Sequence, residues 1–148
     1  MGSEMCIRDS DAIFFGGYYA EAAILVHQLR DAEVSATFAS GDASNDPEFI
    51  TEAGDAAKDA LLSCPCAPAP KEFAELYQNA FSQHAGTYSA ESYDLATIMV
   101  RGVDTGHATR PELLDYMHRY RGQGVAHMYQ WTANGELADT RIWMYKVQ

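Results

Sequence analysis

Residues 12–42, AIFFGGYYAEAAILVHQLRDAEVSATFASGD, carry the pattern of a strand, a helix and a second strand. Ala12–Phe15 is a short apolar run of β-favouring residues stopped at Gly16-Gly17. It predicts a buried parallel strand followed by a turn. From Tyr19 to Asp31, residues Ala22, Leu25, Val26 and Leu29 recur at helical spacing and form one apolar stripe. Val34–Ala39 then predicts a second strand, closing a βαβ unit. At the end of that helix Glu33 stands where a left-handed cap favours glycine.

Downstream, Asp46-Pro47 reads as an N-cap with proline at the first helical position, opening a helix to about Ala53. Ala60–Cys64 is a third strand candidate, followed by an extended Ala-Pro loop. Lys71–Phe81 reads as an amphipathic helix through Phe73, Leu76, Tyr77, Ala80 and Phe81. Ser89–Thr105 is apolar on most sides, which predicts a helix buried between layers. Thr109-Arg110-Pro111-Glu112 matches a capping box opening another helix. Met128–Thr132 and Thr140–Val147 read as strands, with Asn134-Gly135 as the turn of a hairpin. Trp131 and Trp143 flank it at positions that suggest cross-strand packing. The fold class implied is α/β, an open sheet flanked by helices.

Upstream, residues 1–10, MGSEMCIRDS, have no apolar core of a signal peptide. Back-translated, Gly2–Ser10 matches a transposon adapter end, so the segment reads as an adapter scar, disordered and outside the fold. The native chain is then expected to start near Asp11, as part of something larger.

The 148 residues carry 10 Lys and Arg against 21 Asp and Glu, a net charge of −11. Such a balance repels nucleic acid and anionic membrane surfaces as main partners. No apolar run reaches the length of a membrane span. With three cysteines, a disulfide scaffold is excluded. Cys64-Pro65-Cys66 stays open as a disulfide, a thiolate metal pair or two packed thiols. The five histidines, His27, His84, His107, His118 and His127, are scattered and read as surface or capping residues. No metal or cofactor is called for: Gly16-Gly17 lacks dinucleotide-loop spacing, and no G-x-S-x-G elbow is present.

In open α/β sheets, ligands bind outside the carboxyl ends of the strands. Two such ends are legible. At the first, Gly17 lets backbone approach a ligand and Tyr18 offers a flat apolar face with a hydroxyl. At the second, Gly41 precedes Asp42, whose carboxylate suits a substrate ammonium. The same residues also read as plain turns, Gly16-Gly17 ending a strand and Asp42 forming an Asx turn.

These residues carry a resemblance. FFGGYYAEAAILVHQLRDAEV with FASGD, TYSAESYDLATIMVRGVDTG, the RPELLDYM helix and YQWTANGELADTRIWMYKV together resemble the periplasmic leucine/isoleucine/valine-binding protein family of branched-chain amino-acid ABC transporters. The likeness covers essentially all of Asp11–Gln148. It implies a type I periplasmic-binding fold, two α/β lobes joined by hinge strands that close on a ligand, of which this chain is the C-terminal portion. Residues 11–86 would belong to the second lobe, 87–125 to helices returning to the first, and 126–148 to a hinge hairpin ending toward the second. The family's cleft tyrosine falls on Tyr18 and its ammonium acceptor on Asp42, where members binding branched-chain amino acids can have Glu. The implied function is an extracytoplasmic solute-binding component of an ABC importer, with a small-molecule amino acid and membrane permease subunits as partners and no catalysis. Two other readings stay open: a ligand-sensing regulatory domain of the same fold, and an α/β hydrolase-like enzyme. The enzyme would need a nucleophile or base at the strand ends, where only Asp42 stands.

Overall fold

A computed structural model describes residues 10–148. The adapter reading of residues 1–10 falls, Ser10 apart, outside the described residues. The strands are β1 (Ala12–Phe15), β2 (Thr37–Ser40), β3 (Leu61–Cys64), β4 (Arg121–Gln123), β5 (Met128–Gln130) and β6 (Trp143–Lys146). The helices are α1 (Tyr19–Asp31), α2 (Pro47–Ala53), α3 (Lys71–Phe81), α4 (Ser89–Asp104) and α5 (Arg110–Arg119). They form two compact units. One runs through Pro65 and takes back Ile142–Gln148; the other is Cys66–Arg141.

In the first unit, β1, β2 and β3 pair in parallel in that order, and β6 adds antiparallel beside β3. Phe15 lies opposite Ser40 and Cys64 opposite Trp143. The α1 stripe buries Ala22, Ala23, Val26 and Leu29. Asp46 caps α2 by accepting the Glu48 N–H at 2.8 Å, with Pro47 at the first helical position as the sequence predicts. Phe38 centres the core, its ring 6.4 Å from Phe15 and 6.1 Å from Phe49. Full burial of such side chains contributes about 1.5–3 kcal/mol each. Cys64 and Cys66 are both disulfide-bonded, and with only three cysteines in the chain the bond joins them to each other.

Three sequence expectations change here. The first strand is covered on one face only. Side chains alternate along a strand, so Ile13 and Phe15 meet the core while Phe14 is 68% exposed. The second strand starts at Thr37, not Val34. The Arg30 guanidinium donates to the Val34 and Ala36 carbonyls, at 2.7 and 3.1 Å, and so holds this stretch outside the ladder. The third change is the hairpin. Asn134-Gly135 does turn the chain, with Gly135 at φ +84° and its N–H donating to Thr132 O. The pairing extends only through the Trp131–Leu137 bridge and the Ala138 N–H to Gln130 O bond. Beyond it the strands part: β6 pairs with β3, and β5 pairs with β4, an element the sequence reading lacked.

In the second unit, α4 departs from the expectation of all-round burial. Its buried residues are Ala90, Asp94, Ile98 and Gly102, one stripe at four-residue spacing. The large side chains Tyr93, Met99, Val100 and Val103 are exposed. Small residues on the stripe let α5 approach: a Cβ on Gly102 would stand 2.7 Å from Leu113 Cδ1. At the start of α5 the Thr109 hydroxyl and N–H both donate to Glu112 Oε2, at 2.7 and 3.0 Å. These bonds hold the Glu112 carboxyl below its ordinary range.

Glu33 takes the left-handed conformation that its position demands, at φ +60°, while the Val34 N–H closes back on Leu29 O at 2.9 Å. A side chain there costs roughly 1–2 kcal/mol, partly offset by the greater unfolded-state freedom of glycine. Glu33→Gly is therefore expected to stabilise the protein by about 0.5–1 kcal/mol, read as a higher urea midpoint at unchanged slope. A lower midpoint would show that the side chain contributes more than the strain removes.

Candidate functional site

The two strand ends singled out from sequence lie side by side. Parallel pairing of β1 with β2, in register from Ala12↔Thr37 to Phe15↔Ser40, delivers both carboxyl ends to one sheet edge. Past Phe15 the chain turns through Gly16 and Gly17 into α1. A Cβ on Gly17 would press against the tip of the Phe15 ring, which would have to shift. Tyr18 is the N-cap of α1 in extended conformation, and its side chain is 71% exposed. Past Ser40 the chain enters a 3₁₀ turn, Asp42–Ser44, with Gly41 as its N-cap. A Cβ on Gly41 would meet nothing within 4 Å, so this backbone faces open space. Asp42 opens the turn and is exposed.

Two serines tie these turns together. Ser40 and Ser44 are 1% and 0% exposed. Ser40 Oγ lies 2.7 Å from the Phe15 carbonyl and 2.8 Å from Ser44 Oγ. Ser44 Oγ donates to the Gly17 carbonyl at 3.0 Å. Each hydroxyl has one proton, so Ser40 shares its own between the Phe15 carbonyl and the Ser44 oxygen. The sequence reading gave Ser40 no role in the site. The usable signal was its spacing: two small polar residues four apart where a strand gives way to a turn.

The rim around these ends is acidic. Tyr19 hydrogen-bonds the Glu48 carboxylate, and that bond together with the Glu48 charge raises its phenol above the ordinary range. Burial and the more distant charges of Glu52 and Asp46 add to the rise. With Asp42, these carboxylates give the edge a negative field that favours a cationic group.

A second polar cluster, in the Cys66–Arg141 unit, was not legible from the sequence. Asp94, 4% exposed, accepts the Val125 and Ala126 N–H groups, each at 2.7 Å. Glu91, one turn earlier, accepts the Ala67 N–H at 2.8 Å and lies 3.2 Å from His127 Nε2. His127 is thus partnered in a half-buried pair rather than being a plain surface histidine. Burial and the Asp94 charge push the Tyr129 phenol well above its ordinary range. Gly124 has no room for a side chain, since its Cβ would stand 2.4 Å from Asp94 Oδ2. The cluster anchors loops to α4, a structural role. Asp94→Ala strips two donors of a charged acceptor and is expected to cost about 3 kcal/mol in urea unfolding. A loss below about 1 kcal/mol would show that water replaces the carboxylate.

No family model matches the chain. A leucine-, isoleucine-, valine-, threonine- and alanine-binding protein of Pseudomonas aeruginosa is 25% identical over 104 residues, covering 68% of this chain and 28% of the relative. A leucine-binding protein of Thermotoga maritima superposes with a TM-score of 0.82 at 23% identity, over 93% of this chain and 41% of its own. A branched-chain amino acid transporter substrate-binding protein of Streptococcus pneumoniae, in complex with isoleucine, gives 0.75 at 20% identity, over 97% and 47%. The chain therefore spans less than half the length of each. These relatives are solute-binding proteins. The chain has part of the type I periplasmic-binding fold and resembles the leucine/isoleucine/valine-binding proteins.

Proposed function

We propose that this chain supplies one wall of an interlobe cleft in a solute-binding component of an ABC importer, and that the ligand is a branched-chain or related amino acid. The observation that carries the reading is the placement of Tyr18 and Asp42 on adjacent carboxyl ends of β1 and β2. Asp42 accepts the ligand's α-ammonium. Tyr18 lays its ring along the ligand and offers its hydroxyl. Gly17 and Gly41 let the backbone come close. The acidic rim at Asp46 and Glu48 favours the same end of the ligand.

The opposite wall lies in the length of the relatives that this chain does not span. In this reading residues 11–86 serve the second lobe, 87–125 return to the first, and 126–148 pass through the hinge. Lobe membership concerns the assembled protein, whereas the compact units within this chain divide at Pro65. Function is by closure alone: the closed, loaded form is recognised by the permease subunits outside the cytoplasm. No bond is made or broken.

The test uses protein carrying both walls, titrated calorimetrically with leucine, isoleucine, valine, alanine, urea, a short amide and an aromatic acid. The amino acids are expected to bind. Asp42→Ala is expected to weaken them by roughly 100-fold or more, the cost of leaving a desolvated ammonium unpartnered. Binding of the uncharged amide or the aromatic acid alone would overturn the amino-acid reading, and amino-acid affinity unchanged in Asp42→Ala would overturn the role of Asp42.

A further inference from the structure

We infer that Ser40 and Ser44 are positioning residues of this wall, locking the turn that bears Tyr18 to the turn that bears Asp42. The inference rests on the wall reading above and adds residues that neither touch the ligand nor follow from the resemblance.

The β1–β2 register ends at Phe15↔Ser40. Beyond that pair the two segments turn away separately, one into α1 and one into the 3₁₀ turn. The Ser44 hydroxyl bridges the two turns by its bond to the Gly17 carbonyl. Gly17 directly precedes Tyr18, and Ser44 closes the three-residue turn that Asp42 opens. Ser40 completes the path, holding Ser44 Oγ at 2.8 Å while standing against the Phe15 carbonyl at the last rung of the ladder. One continuous hydrogen-bonded line thus runs from the β1 end through both serines to the Gly17 carbonyl beside Tyr18, and Ser44 belongs to the same short turn as Asp42. Both serines are sealed from water, so losing the Ser44–Gly17 bond leaves the Ser44 hydroxyl with no water to take the carbonyl's place. Binding groups must be held within about 0.5 Å, and a wall ordered beforehand spares the ligand the cost of ordering it.

A merely structural role would make these two serines equivalent to a serine that bonds within the sheet and bridges no turns. Ser63 supplies the comparison. Its hydroxyl donates to the Ser40 carbonyl at 3.2 Å, in the same sheet, without bridging the turns. The experiment measures isoleucine affinity by calorimetry and stability by urea unfolding, on protein with both walls, for Ser44→Ala, Ser63→Ala and Asp42→Ala. Ser44→Ala is expected to lower affinity about tenfold. Ser63→Ala is expected to lower stability while leaving affinity within about twofold. Should Ser44→Ala not fold, Ser44→Cys, a weaker donor of similar size, carries the comparison with an expected loss of about threefold or more. Affinity of the Ser44 variant within about twofold of the parent, alongside collapse of binding in Asp42→Ala, overturns the positioning role and leaves the wall reading standing. Isoleucine binding that survives Asp42→Ala overturns the Asp42 assignment, and no isoleucine binding by the parent overturns both.

Discussion

Parallel pairing of β1 with β2 is the constraint on which the rest of this architecture hangs. Two parallel neighbours cannot be joined by a tight turn, so the chain must cross back over the sheet, and it does so as α1. The crossover deposits Ala22, Val26 and Leu29 on the sheet and makes the core with Phe38 and Phe49. It also brings both carboxyl ends to one edge. An antiparallel arrangement of the same two strands would have put Gly17 and Gly41 at opposite ends. The neighbourhood of Tyr18 and Asp42 is thus a consequence of strand direction.

What that pairing leaves undone is finished by side chains. A backbone ladder stops where the strands diverge, and at that point the buried polar groups still need partners. Ser40 and Ser44 meet that need at the edge that bears Tyr18 and Asp42. Arg30 meets it at the opposite end of β2, occupying the Val34 and Ala36 carbonyls before the strand begins. In the other unit Asp94 does the same for Val125 and Ala126. Each is a polar side chain reaching residues outside its own helix turn or strand, at distances that leave little slack.

That division explains which parts were legible in the sequence. The helices declared themselves because period and capping are local: α1, α2 and α3 match their expected bounds, and at Glu33, where the sequence left a different helix end or a strained turn open, the chain takes the left-handed turn. The first two strand ends were legible because glycine and a carboxylate after an apolar run mark where a sheet meets solvent. The errors lie where a partner outside the segment decides, a few residues away for Arg30 and far along the chain for β6. Nothing within Val34–Ala36 tells that Arg30 will take its carbonyls. The choice of β3 over β5 as the partner of β6 depends on pairings made some eighty residues apart. Most of α4 looks apolar, yet the face that is buried is the one carrying Gly102 and Asp94, because its neighbours need close approach and a charged acceptor. Ser40 and Ser44 are invisible for the same reason, since a serine's worth is set by what it faces.

The exposure of Asp42 bears on how the proposed wall would work. An ion pair held in open water contributes between nothing and about 1 kcal/mol, too little to retain a small solute. The same pair desolvated, with its remaining lone pairs satisfied, can be worth several times more. A carboxylate standing at an open edge therefore orients an ammonium without holding it, and the acidic neighbours Asp46 and Glu48 oppose the ligand's carboxylate from the same side. The ligand's negative end must be met elsewhere, by donors on a facing surface that also expels water. Affinity then comes from closure, and since the closed state is the only one with both ends satisfied, the ligand shifts the open–closed balance by the whole difference. A half-site built on one sheet edge is, on these magnitudes, a device for making binding conditional on the other half.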